Sequence, residues 1–158
     1  DHVMPNEALR PDQSKIVIRK ALPQELSDIY NLCYEVIDKP KGLLRRPPTA
    51  NDLNLRTIHI GAYINKYPVG TIRLSSHLNE SSIYMASRFA VKVAFRDIGV
   101  GGMLLNSAEN SARMHGGVQV IVYVNPLMVG YFQDRSYKLT SVKREYESSI
   151  YLQMMKHV

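Results

Sequence analysis

The stretch that most constrains this chain is positions 91–117. Val91-Lys92-Val93-Ala94 ends an alternating strand pattern, and Phe95-Arg96-Asp97-Ile98-Gly99-Val100-Gly101-Gly102 follows it. Beyond that, Val100, Met103, Leu104, Ser107, Ala108, Ser111 and Ala112 recur at helical spacing, and Gly116-Gly117 closes the pattern. A strand, a glycine-bearing turn and a helix are therefore expected in direct succession. The first N–H groups of such a helix have no intrahelical partner, and its dipole favours negative charge there. Gly99 and Gly101 let a ligand approach the backbone closely, and Arg96 adds a charged donor, so the junction suits a phosphate-type anion. A plain strand-to-helix turn, with glycines for steric reasons, is the competing reading. The junction is not a P-loop, since no Gly-Lys-Ser/Thr ends it. Nor does it have the Gly-x-Gly-x-x-Gly spacing of a dinucleotide fold.

Hydrophobic periodicity supplies the surroundings. Ile16-Val17-Ile18 predicts a first strand. Pro23 opens a helix on which Leu26, Ile29, Tyr30, Cys33, Val36 and Ile37 share a face down to Pro40. Positions 39–52, with Pro40, Gly42, Pro47 and Pro48, read as a long loop of the kind that often carries function. Alternation at positions 57–64, 69–76 and 82–93 predicts a three-stranded meander, with a polar turn at 77–81. On its third strand Ile83, Met85, Ser87, Phe89, Val91 and Val93 are expected to share one face. Positions 118–124 are nearly all apolar, as in a strand covered on both sides. Asn125-Pro126 caps a short helix to about Asp134, and strands at 137–143 and 149–156 finish the chain. The expected fold is mixed α/β: a largely antiparallel sheet of about seven strands, with a parallel step around the central helix.

Composition narrows the class further. A chain of 158 residues, 45% hydrophobic, fits one domain at 15–158 behind a flexible polar arm at 1–14. The single Cys33 excludes an internal disulfide or a cysteine-rich zinc site, and His59, His77 and His115 lack metal-ligand spacing, so no metal is expected. No apolar run approaches the roughly 18 residues of a membrane span, and the first residues lack a signal-peptide core. The expectation is a cytoplasmic protein with no membrane partner. The formal charge of +6 fits an anionic partner. Nucleic acid is disfavoured, because no aromatic-basic interleaving or recognition helix accompanies the charge.

The residues of the junction carry a resemblance. Arg96-Asp97-Ile98-Gly99-Val100-Gly101 is similar to the Gln/Arg-x-x-Gly-x-Gly/Ala loop of the GNAT acyltransferase superfamily. Phe89-Ala90-Val91 resembles the strand before that loop. Tyr131-Phe132-Gln133-Asp134-Arg135-Ser136-Tyr137 resembles its Phe-Tyr-Glu-Lys-x-Gly-Phe segment, and Tyr151-Leu152-Gln153-Met154-Met155-Lys156 its final strand. The resemblance implies N-acetyl transfer from acetyl-CoA, a co-substrate, to a primary amine on a small molecule or peptide. It assigns the diphosphate to Arg96, Asp97, Ile98, Gly99, Val100, Gly101 and Gly102. The pantetheine and thioester fall to Val91, Lys92 and Val93, with a side-chain contact from Asn125. In the family the last strands often pair between subunits, which allows a homodimer.

The resemblance is imperfect at the chemistry. Phe132 stands where the family has its proton-donating tyrosine. Tyr131 lies one residue earlier, about 100° around a helix, and is the candidate donor. The third meander strand has no acid beyond Glu80 in the turn before it, which makes Glu80 the candidate base. Tyr30, Tyr34 and Arg88 fall where the family builds its acceptor site, Arg88 suiting a substrate carboxylate. Two rival readings remain. One is a longer-chain acyltransferase, because Ser87-Arg88-Phe89 resembles a segment of acyl-homoserine-lactone synthases. The other is a non-catalytic CoA-binding module.

Overall fold

A computed structural model describes residues 12–77 and 80–158. Positions 1–11 of the expected arm and 78–79 of the expected turn lie outside the described residues. The elements run β1 (Val17–Lys20), α1 (Leu26–Cys33), α2 (Ala50–Leu53), β2 (Ile58–Ile64), β3 (Tyr67–His77) and β4 (Glu80–Val91). They continue with α3 (Val100–Met114), β5 (Gln119–Val124), α4 (Val129–Gln133), β6 (Lys138–Tyr146) and β7 (Ser149–His157).

The strands form one mixed sheet in the order β1-β2-β3-β4-β5-β7-β6. Hairpins make the antiparallel pairs β2–β3, β3–β4 and β6–β7, while the antiparallel pairs β1–β2 and β5–β7 join strands distant in sequence. The β4–β5 pair is parallel, because a parallel neighbour needs a crossover and α3 is that crossover. Alternation along the strands gives the sheet two apolar faces. Ile60, Ala62, Ile64, Ile72 and Leu74 pack with Val100, Leu104 and Leu105 of α3. On the other face Tyr63 packs with Ile29 of α1. A buried network ties α3 to the last strands: Tyr137 Oη donates to Glu109 Oε2 at 2.8 Å, and Lys156 Nζ donates to Glu109 Oε1 at 2.8 Å. Glu109 is 3% exposed, and its two donors supply what burial of a carboxylate demands.

The structure departs from the sequence expectation in four places. The helix expected from Pro23 to Pro40 is broken. A 3-10 turn (Pro23–Glu25) precedes α1, and a π-turn (Tyr34–Asp38) and another 3-10 turn (Lys39–Lys41) follow it. Pro40 has no N–H to continue the α ladder, and the widened turn carries Asp38 inward to 2% exposure. The loop at 39–52 contains α2, nucleated by a capping box in which Thr49 Oγ1 accepts from Asp52 N. The junction after β4 is itself coiled, as a 3-10 helix at Val93–Ile98 that buries Phe95. In β4 the expected common face does not exist: Tyr84, Ala86 and Ala90 are the buried residues. Arg88 has φ +49°, and the register against β3 slips between Thr71 and Arg73. That bulge breaks the two-residue period and re-aims Arg88 and Phe89.

Candidate active site

The parallel pair β4–β5 is joined only at Ile83–Met85 and Gln119–Ile121. Beyond those rungs the strands part, and β5 continues against β7 alone as far as Val124. The gap opens into a cavity of about 570 Å³, with Ala86, Ser87, Arg88 and Phe89 on one side and Val122, Tyr123, Val124 and Asn125 on the other. Phe132 of α4 lines it as well. A second cavity of about 290 Å³ lies against α1, lined by Tyr30, Cys33, His59, Thr71 and Arg73 among others. Arg46, Arg88 and Tyr146 line both, so they form the partition between them.

At the α3 end, Gly99 has φ +86°, a backbone region open to glycine and strained for other residues, and it starts the helix with no side-chain cap. Val100 is fully buried and Ile98 half-buried, so both turn their side chains inward. What they offer a ligand is backbone. Val93, Arg96 and Asp97 are exposed on the turn, and Arg96 Nε donates to Val91 O at 3.0 Å, tying the turn to the strand end. A Cβ at Gly101 would lie 2.9 Å from Tyr131 Oη and 3.2 Å from the Phe89 ring. A bare backbone is what allows α4 to sit this close. Arg135 stacks 3.7 Å over the Tyr131 ring and donates to Tyr131 O at 3.1 Å. Its Nη2 lies 3.6 Å from where a Cβ at Gly102 would be, beside the first turn of α3.

The partition is held by ion pairs. Asp38 accepts from Arg88 Nη1 at 3.1 Å and from Arg88 Nη2 at 2.9 Å, a bidentate pair, while Arg46 Nη2 lies at 3.5 Å. Arg46 Nη1 also donates to Tyr146 Oη. Burial pushes the Asp38 carboxyl up, but the Arg88 hydrogen bonds and the charges of Arg88, Arg46 and Lys41 outweigh it and hold the group below its usual value. Arg73 Nη1 donates to Asp52 Oδ1 at 2.7 Å and Arg73 Nε to Ser87 Oγ at 3.0 Å. Asp52 is likewise pushed up by burial and, on balance, brought down by the Thr49 amide and Arg73. Cys33 is buried, and loss of hydration pushes its thiol up to about 11, so it is a poor nucleophile.

Not every expected site residue meets here. Asn125 lines the larger cavity, but its Oδ1 accepts from Leu127 N at 2.9 Å, so its cap role takes that oxygen and leaves Nδ2. Tyr131 lies against Gly101 and Arg135; the cavity wall at this level is Phe132. Glu80 is exposed at the far end of β4, eight residues from Arg88 and thus about 25 Å along the strand, where it accepts from Ser82 Oγ. The structure does not bring Glu80 into the cleft. Tyr30 lines the smaller cavity, whereas Tyr34 lines neither and stacks under Arg45. Sequence reasoning missed Arg135, Asp38, Arg46, Asp52 and Arg73. Of these only Arg135 had a local signal, its four-residue helical spacing from Tyr131.

Comparison with known proteins decides the family. The acetyltransferase (GNAT) family model matches residues 24–137. The chain belongs to that family. It is an acyltransferase by membership, and among the described residues no helix is long and apolar enough to cross a membrane. Similar solved structures include Escherichia coli ElaA, 16% identical with a TM-score of 0.78, covering 89% of this chain and 99% of that one. An acyl-CoA N-acyltransferase from Pseudomonas aeruginosa is 16% identical with a TM-score of 0.77 over 89% and 97%. An aminoglycoside 6'-N-acetyltransferase complexed with coenzyme A is 12% identical with a TM-score of 0.71 over 89% and 96%. At such identities the likeness is one of fold. No curated protein sequence matches this acyltransferase significantly.

Proposed function

We propose that this acyltransferase moves an acetyl group from acetyl-CoA to the amine of a small molecule or peptide, in the cytoplasm. One observation carries the reading: β4 and β5 part beside a helix N-terminus that no side chain caps. These residues fit the donor. The N–H groups of Gly99, Val100, Gly101 and Gly102 lie at the positive end of α3, and Arg135 and Arg96 stand at its rim. Ile98 and Asp97 add backbone to the same turn. The edge of β4 left unpaired from Ala86 onward offers hydrogen-bonding groups to an extended pantetheine chain, with Asn125 Nδ2 across the gap and Val91, Lys92 and Val93 continuing the chain from β4 towards α3.

A bound acyl-CoA supplies a thioester whose carbonyl carbon bonds to the acceptor nitrogen as its C–S bond breaks, one proton leaving the nitrogen and one joining the sulfur. The chain's contribution is positioning, which is able to supply much of the acceleration for two held reactants. Asp38 and Asp52 are bound by arginines and held in their charged form, and Glu80 is remote, so neither arginine-bound aspartate nor Glu80 takes the acceptor proton. Phe132 on the cavity wall carries no hydroxyl, so the proton that joins the sulfur comes from a group other than the residue at this position.

Calorimetric titration with CoA tests the reading. Arg135→Glu and Gly101→Glu are each expected to weaken binding by about tenfold or more, by charge and by blocking the first turn. Unchanged affinity in both removes the diphosphate cradle and the function built on it. Turnover of acetyl-CoA against octanoyl-CoA separates acetyl transfer from the longer-chain reading.

A further inference from the structure

We infer that the acceptor is an amine that also carries a carboxylate, as an amino acid does, and that Arg46 and Arg73 hold that carboxylate. This rests on the acyl-transfer reading above and names the substrate class of the same site. The charge balance of the two cavities is the first observation. Arg46, Arg73, Arg88, Lys41 and Arg144 line them, against Asp38, Asp52 and Glu147. Asp38 is shared by two guanidinium groups and Asp52 is engaged by Arg73. Neither is free to receive the extra ammonium of a polyamine or an aminoglycoside; Glu147, exposed in the turn between β6 and β7, is the one lining acid left over, and the lining cations outnumber the acids.

The second observation is unsatisfied donor capacity. Tyr30 lines the smaller cavity, and its Oη is buried with no hydrogen-bond partner among the described residues. Such a group costs free energy unless something bonds to it. Arg73 Nε and Nη1 are used by Ser87 and Asp52, and Arg88 spends both terminal nitrogens on Asp38. Arg73 Nη2 has no partner among the described residues, which leaves a guanidinium donor and a phenol on one small cavity. A carboxylate answers both needs. The same excess of positive charge disfavours the ammonium form of an amine held nearby, which helps the amine attack as a neutral nucleophile.

The test uses matched pairs of N-acetyl-L-amino acids and the N-acetyl amines that lack their carboxylate, titrated calorimetrically into the CoA-bound protein. The corresponding free amines are assayed as acceptors of acetyl-CoA. At least one carboxylate member is expected to bind about tenfold tighter than its counterpart and to be acetylated with a correspondingly higher kcat/KM. Arg46→Gln, at a side chain 36% exposed, and Arg73→Gln are each expected to shrink that preference, their CoA affinity reporting that they are folded. Equal or better binding by the carboxylate-free members, no binding by either series, or a preference that survives both substitutions overturns the inference while acyl transfer stands. Loss of CoA binding by the unmodified protein instead overturns the function itself.

Discussion

Tyr131 shows how one position changes a residue's role. Its hydroxyl rests over Gly101 and its ring under Arg135, at the end of the site where the diphosphate is expected. The 100° offset from Phe132 along a helix is what turns it away from the cavity. Tyr131→Phe is therefore expected to change kcat little, far less than the roughly hundredfold loss that removing a proton donor brings. A loss of that size in steady-state kinetics, at unchanged CoA affinity, would return Tyr131 to the chemistry. Arg88 is the opposite case. Read from sequence as a substrate contact, it is a bidentate partner of Asp38 that also faces both cavities. The bulge that re-aims it has no sequence signature, because Arg88 takes φ +49° without being glycine.

At the scale of elements, α3 is the part that must stay fixed, since it presents the proposed diphosphate site at one end and crosses between two parallel strands. Its other end is anchored by Glu109, Tyr137 and Lys156. Tyr137→Phe leaves a buried carboxylate with one donor instead of two, at a cost of about 1–3 kcal/mol. Thermal unfolding should register this as a fall in Tm of several degrees for a domain of this size. An unchanged Tm would mean that the network adds nothing net. Positions 39–52 were legible only as a long loop of the kind that often carries function. Helix α2 depends on a four-residue capping box, and its contribution to the site depends on Asp52 reaching Arg73 on β3, 21 residues away.

For the whole molecule, three carboxylates link fold stability to acid. Arg19 hydrogen bonds, opposed by burial, bring Glu25 down to about 2 from 4.5, and Asp38 and Asp52 also titrate below their ordinary 3.8. A group depressed on folding stabilises the native state above its unfolded value, and that contribution disappears as pH falls through the folded one. Denaturant midpoints are thus expected to drop progressively from about pH 4.5 towards pH 2. A midpoint that is flat or rises on acidification through that window contradicts the assignment. Lowering pH in this range also releases Asp38 from Arg88, so the partition between the two cavities should loosen together with the fold.

The order of strands and helices, the parallel step around α3 and the glycine-bearing turn that starts it follow from periodicity, glycine placement and capping, which are local and so can be read along the chain. The resemblance to the acetyltransferase family rests on the same local motif. The charge of the proposed acceptor end was not local. Asp38 and Arg88 lie 50 residues apart, Arg46 and Tyr146 lie 100 apart, and only the folded sheet brings them together. Whether a charged side chain is a ligand's contact or another side chain's partner depends on distances of a few ångströms across the fold. Tertiary packing sets those distances, because bulges and widened helical turns rotate side chains without any change in sequence pattern.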